Sequence, residues 1–257
     1  MAMRIYRTIL GVLLFAFLVW AFLYSRNWVL QKRSNVVPVT LHSSNSWELK
    51  GDFYKPLNKG EKAPALLLLP TFNESRTSYV KTAPFFQKKG YAVLTLDLRG
   101  IGESKQKNAQ EVPNLKGIED DIAVGLDYLS GQKGVDANRV GILAASTICN
   151  AAVHTIDHRK NIRAVVLLSG QYDSTATALL TSPDFPPSLI VASYDDKIAI
   201  RNAVKIRDRL PDDSENQVKL FLNAGHGLQM FWSMEGEALG NLVLNWFQKY
   251  LETKPVK

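Results

Sequence analysis

Three side chains far apart in the chain are of the types needed for acyl chemistry: a hydroxyl, an imidazole and a carboxylate. Ser146 sits in Ala144-Ala-Ser-Thr-Ile-Cys-Asn150, between an apolar run and a helical pattern. A serine on a sharp strand-to-helix turn exposes its Oγ, and the backbone N–H of the next residue, Thr147, then faces a developing oxyanion. Taken alone, the same serine reads equally well as a helix cap. His226 lies in Asn223-Ala-Gly-His-Gly227, where flanking glycines let an imidazole swing over a sheet edge and act as general base. Asp195 and Asp196 follow the apolar run Leu189-Ile-Val-Ala192. A carboxylate there can orient the imidazole and stabilise its charged form, although a helix cap is again the simpler use. The chain order Ser, Asp, His, each after an apolar run, is what a nucleophile elbow and its partners require. A fourth loop, Leu69-Pro-Thr-Phe-Asn-Glu-Ser-Arg76, places the backbone N–H of Thr71 or Phe72 where a second oxyanion donor is needed.

Loops of this kind work only if buried strands hold them. Continuous apolar runs at Ala65–Leu69, Tyr91–Leu96, Val140–Ala144, Ala164–Leu168 and Leu189–Ala192 read as strands covered on both faces, with Val218–Leu222 a shorter last strand. Helical patterns at Tyr79–Lys89, Asn114–Leu129, Asn150–His158, Ile198–Leu210 and Gly236–Leu251 alternate with them. Asn35 to Pro56 reads as a strand pair around the turn Ser43–Ser46. Alternating strands and helices imply right-handed βαβ units and a mainly parallel, doubly wound α/β sheet. Four loops beyond the carboxyl ends of such strands then share one edge, where open α/β sheets place their sites.

The clearest stretch is Gly90-Tyr-Ala-Val-Leu-Thr-Leu-Asp97-Leu-Arg99-Gly100-Ile-Gly102-Glu103-Ser104, which is similar to the DxRGxGxS loop of the α/β-hydrolase family. Val135 to Ser146 resembles the approach to the nucleophile in the dienelactone-hydrolase-like and acyl-peptidase-like branches, and Asn150 matches an Asn beyond that serine. The resemblance runs from about Val39 to Leu251. It implies an ester, thioester or amide hydrolase that uses no cofactor, with Ser146 as nucleophile, His226 as base and Asp196 as orienting acid, Asp195 being the alternative. The Asp97–Ser104 loop is expected to be structural, with Arg99 pairing a nearby acid. Only Gln171–Pro186 separates two adjacent strands, so no large lid is expected.

The resemblance breaks at several turns. Where the family usually has Gly-x-Ser-x-Gly, this chain has Ala144 and Ile148; Pro70-Thr71 replaces a His-Gly, and Ser193 replaces the Gly that begins the acid loop. Lost glycines fit a divergent enzyme, and they also fit a catalytically inactive binding or assembly module on the same fold.

The remaining expectations concern the N-terminus. Thr8 to Ser25 carries no charge and is apolar on all sides, and at about 1.5 Å per residue it nearly crosses a hydrocarbon core of about 30 Å. Arg4, Arg7, Arg26, Lys32 and Arg33 flank it, with no acid before Glu48, which accounts for much of the formal net charge of +7. The excess therefore points to a membrane and away from nucleic acid, and no Arg-rich helix appears later. No small-x-small pattern follows Tyr24, so an uncleaved signal anchor is expected rather than a cleaved signal. Residues 1–34 are read as a single-pass anchor and residues 35–257 as the hydrolase-like domain, on the non-cytoplasmic side because the basic tail is short. The one cysteine, Cys149, excludes an internal disulfide, and no Cys/His cluster has the spacing of a metal site. The partners the sequence implies are the membrane and a small acyl substrate, and it does not identify any protein partner.

Overall fold

The computed structural model describes residues 17, 35–58, 60–104, 114–157 and 159–252. The chain divides into two compact units, residues 1–37 and 38–257. The expected span over residues 8–25 lies outside the described residues except for Phe17, which is helical and exposed. Among the described residues, no helix is long and apolar enough to cross a membrane.

Among the described residues, eight strands form one sheet. They are β1 (Val36–His42), β2 (Glu48–Tyr54), β3 (Ala63–Leu69), β4 (Ala92–Leu96), β5 (Val135–Ala145), β6 (Ile162–Leu168), β7 (Ser188–Ser193) and β8 (Gln217–Phe221), in the order β1-β2-β4-β3-β5-β6-β7-β8. β2 runs antiparallel to β4, and every pairing from β4 through to β8 is parallel. The central strands are the apolar ones: all five residues of β4 are buried, as are Ala65 to Leu69 of β3. Residues that face a layer of helices on each side cannot alternate with polar ones, which is why these strands read as unbroken runs.

Among the described residues six helices cover the sheet: α1 (Thr82–Lys88), α2 (Leu115–Ser130), α3 (Ile148–Ile156), α4 (Ser174–Leu180), α5 (Lys197–Arg207) and α6 (Gly236–Phe247), the last continuing as a wider π turn over Gln248–Glu252. Each long helix turns an apolar stripe inward; on α2 the stripe is Ile118, Ile122, Leu126 and Leu129. Asn114 caps α2 by accepting the Gly117 N–H at 2.8 Å.

The expected helix over Tyr79–Lys89 is two pieces, a 3₁₀ turn at Arg76–Tyr79 and then α1. Pro84 is the reason. It has no N–H to donate, so it fits a helix only within the first turn, and that fixes the start near Thr82. α4 was not anticipated: its seven residues are too few to show a period, and Asp173 starts it by accepting the Ala176 N–H at 2.8 Å. This short helix is all that lies between β6 and β7, so no inserted domain stands over the sheet edge there.

Candidate active site

The carboxyl ends of β5, β7 and β8 bring Ser146, Asp196 and His226 together. Ser146 follows β5 directly and has φ 60°, a left-handed conformation that a non-glycine residue holds at a cost of about 1–3 kcal/mol. Backbone bonds fasten it there. Its N–H donates to Leu168 O on the neighbouring strand at 2.8 Å, and its carbonyl accepts the Cys149 N–H at 3.1 Å. α3 then starts at Ile148, so the serine stands on the bend between strand and helix.

His226 Nε2 lies 2.8 Å from Ser146 Oγ, and His226 Nδ1 lies 2.6 Å from Asp196 Oδ2. An ionised carboxylate can only accept, so Nδ1 carries the proton and Nε2 is left with a lone pair facing the serine hydroxyl. The imidazole side chain is 41% exposed and that of Asp196 10%. Substrate and water can therefore reach the base, while the acid is shielded from competing water.

Asp196 performs both of the uses that its sequence position allowed. Oδ1 caps α5 by accepting the Ala199 N–H at 3.1 Å, and Oδ2 meets the imidazole. Asp195, the alternative acid, points elsewhere: its carboxylate accepts from Ser193 Oγ and, at 3.3 Å, from the Gly225 N–H. Among the described residues it makes no hydrogen bond to the imidazole.

The amides of Thr147, Thr71 and Phe72 have no protein acceptor among the described residues. Thr147 is the N-cap residue of α3, so its N–H adds to the positive end of a helix dipole. Thr71 and Phe72 follow β3, beside β5 in the sheet. The loop that carries them packs directly on the histidine loop. A Cβ on Gly227 would come within 2.6 Å of Thr71 Cγ2, and Gly227 has φ 55°, so only glycine serves there.

Arg76 ties this oxyanion-side loop to the sheet. Its Nε reaches Asp52 at 3.1 Å, its Nη1 and Nη2 contact Asp97 and Glu103, and its backbone N–H donates to Asp97 Oδ1 at 2.6 Å. Arg99 forms a buried pair with Asp121 and also reaches Ser43 and Ser44. The Asp97–Ser104 loop thus holds the site's frame and does not enter it.

Ile148, which stands in place of a glycine, is buried as the first residue of α3. Its side chain lines a cleft of about 620 Å³ together with Phe72, Leu115, Ile118, Ala151 and Tyr172. The cleft shares Phe72 and Thr147 with the proposed oxyanion amides, and Thr147 directly follows Ser146 in the chain. Cys149, the other nucleophile type nearby, is fully buried, and burial pushes its thiol well above the ordinary range. Among the described residues no group of three or more His, Cys, Asp or Glu side chains could hold a metal ion.

Sequence reasoning missed the side chains that hold the histidine loop: Ser193, whose hydroxyl accepts the Ala224 N–H at 2.8 Å, and Ser169, whose hydroxyl accepts the Gly227 N–H at 2.9 Å. The signal for the first was present, because Ser193 departs from the family's glycine. It also missed Asp173, which links α3 to α4 through Asn150 at 3.0 Å and His154 at 2.9 Å.

Residues 60–228 match the family described as serine aminopeptidase, S33. A thiohydrolase, AneE, from Aspergillus aculeatus is 30% identical over 129 residues, which is 50% of this chain and 39% of that protein. Dienelactone hydrolase from Anabaena variabilis superposes with a TM-score of 0.68 at 21% identity, covering 84% of this chain and 98% of the other. The α/β hydrolase GrgF from Penicillium sp. gives 0.68 at 12% identity over 85% and 99% of the two chains. At these identities the structural likenesses establish the fold alone.

Proposed function

This chain belongs to the α/β-hydrolase family, in the group described as serine aminopeptidase, S33, and we infer that it is a serine hydrolase of carboxyl esters, thioesters or amides. The observation that carries the reading is the pair of hydrogen bonds on His226, 2.8 Å to Ser146 Oγ and 2.6 Å to Asp196 Oδ2. Two bonds of that length on opposite nitrogens fix both tautomer and ring orientation, which general-base activation of a hydroxyl requires.

In the first half of the reaction, Ser146 Oγ attacks the acyl carbon while its proton passes to His226 Nε2. The resulting oxyanion is held by the Thr147 N–H and one from Thr71 or Phe72. As the bond to the leaving oxygen, sulfur or nitrogen breaks, that atom takes the proton from Nε2, and acyl-Ser146 remains. In the second half, water attacks the acyl carbon and gives a proton to Nε2. The Oγ–carbon bond breaks, Oγ recovers the proton, and the free acid departs. Asp196 stabilises the imidazolium formed twice per cycle. The cleft beside Ser146 favours a small acyl substrate with an apolar group. The partial likeness to a thiohydrolase adds thioesters to the classes worth testing.

The apolar stretch Thr8–Ser25 with its basic flanks supports a second part of the reading: a single-pass signal anchor holds the enzyme at a membrane, with residues 35–257 on the non-cytoplasmic side.

Turnover of a panel of short p-nitrophenyl esters and acyl thioesters tests the activity. Wild type hydrolyses at least one class, and Ser146→Ala and His226→Ala lose it. Absence of turnover across the panel by a folded wild type favours the inactive binding module instead.

A further inference from the structure

The strand ends beside His226 carry polar side chains that the acyl chemistry above does not use. Ser193, the last residue of β7, is fully buried. Its hydroxyl accepts the Ala224 N–H at 2.8 Å and donates its own proton to Asp195. Asp195 in turn accepts the Gly225 N–H, with both oxygens at 3.3 Å. On the far side, Ser169 at the end of β6 is also fully buried and accepts the Gly227 N–H at 2.9 Å. Ser169 has φ 51°, so it holds this position against backbone strain. The carbonyl of His226 itself accepts the Gln229 N–H at 3.1 Å.

Backbone amides on both sides of the histidine are therefore captured by side chains. Gly225 and Gly227 have φ 79° and 55°, so the loop bends at both neighbours of His226 and has little stiffness of its own. Bonds from the sheet supply what the glycines remove. The Ser193 hydroxyl also holds the Asp195 carboxyl below the usual carboxylate range, so Asp195 stays an acceptor over a wider span of pH.

We propose that Ser193 and Asp195, assisted by Ser169, form a clasp that sets the position of His226 between Ser146 and Asp196, so that Asp195 is a positioning residue for the base and not its acid partner. The proposal rests on the serine-hydrolase reading for its effect on rate, but its geometric content concerns the imidazole alone. A loop free to shift by about 1 Å misaligns Nε2 with the hydroxyl, and displacements of that size cost up to about 100-fold.

The experiment uses the full chain and four variants, with two readouts: the rate of labelling by a fluorophosphonate probe, and the low-field Nδ1–H proton resonance of His226, assigned by its loss in His226→Gln. Ser193→Ala and Asp195→Ala should slow labelling roughly 10- to 100-fold and broaden or abolish the resonance, with the far-UV circular dichroism unchanged. Asp195→Asn keeps acceptors for the Ser193 hydroxyl and the Gly225 N–H, and should restore both readouts to near wild type. Should Ser193→Ala fail to fold, the exposed Asp195→Ala carries the test. Wild-type labelling and an intact resonance in both alanine variants would overturn the clasp while leaving the hydrolase reading untouched. If the wild type is not labelled at all, the hydrolase reading fails, and the resonance alone decides: its loss in the alanine variants supports the clasp, and its persistence refutes it.

Discussion

Neighbouring carboxylates, Asp195 and Asp196, make opposite predictions under the same substitution. Asp196→Asn keeps the side chain's shape but offers an N–H or a weaker acceptor to Nδ1, so the imidazole loses its required tautomer. The expected loss in kcat is about 10⁴-fold with KM little changed. Asp195→Asn, by contrast, should change kcat only a few-fold, because its partners need an acceptor and not a charge. Steady-state kinetics on the two variants checks this, and equal losses would contradict the assignment. Ser146, His226 and the acid pair were legible in the sequence because each follows an apolar strand in triad order. Which of the two aspartates meets the imidazole was not fixed by spacing. Adjacent residues on a turn differ in direction, and the direction is set here by the α5 cap, which takes one oxygen of Asp196 and aims the other at His226. Ser193 and Ser169 are not recognisable in the sequence as loop supports because their hydroxyls' partners are backbone amides 31 and 58 positions away in the chain.

Helix ends and strand ends carry the next set of consequences. Ile148 fills the space where α3 meets the sheet, so Ile148→Ala should lower stability by about 2–5 kcal/mol in urea unfolding. Its folded fraction should still react at Ser146, since the bond from the Ser146 N–H to Leu168 O is retained. The cap of α4 gives a pH signature. Asp173 is held down to about 2 by the Ala176 N–H first, then by Asn150 and His154, against an ordinary value of 3.8. A depressed carboxylate adds stability that is present above 3.8 and is lost as pH falls towards 2. Asp173→Asn should therefore flatten the decline of the urea midpoint over that window. The change will be small, because the side chain is 43% exposed. The sequence located the central strands because burial on two faces writes unbroken apolar runs into them, and the half-exposed outer strands β1, β2 and β8 through shorter or alternating apolar patterns. Boundaries were less legible. α3 begins at Ile148 where the reading began at Asn150, because the bend at Ser146 lets the helix start as soon as Thr147 takes helical angles. β5 starts at Val135 and not at Val140, because its largely polar residues Asp136 to Arg139 interrupt the apolar run that marks the rest of the strand.

For the whole molecule, the sheet's connectivity is what makes distant residues meet. β3, β5, β6, β7 and β8 are adjacent in the sheet and parallel, so their carboxyl ends form one continuous edge, and every loop of the proposed site opens onto it. The buried Arg99–Asp121 pair locks the loop after β4 to α2 behind that edge. Arg99→Met leaves Asp121 buried without its cation, with an expected cost of about 3–5 kcal/mol in denaturant unfolding. If Thr8–Ser25 anchors the chain as proposed, full-length protein in cell membranes should resist extraction by high salt and alkaline carbonate and yield to detergent; release by salt alone would contradict the anchor. The site at which a fluorophosphonate becomes attached decides whether Ser146 is the nucleophile. Peptide mapping of the labelled full-length protein should find the phosphonyl group on Ser146, with no labelling of Ser146→Ala and sharply slowed labelling of His226→Ala. A folded wild type that takes up no label, or one labelled at another residue, would exclude Ser146 as the nucleophile.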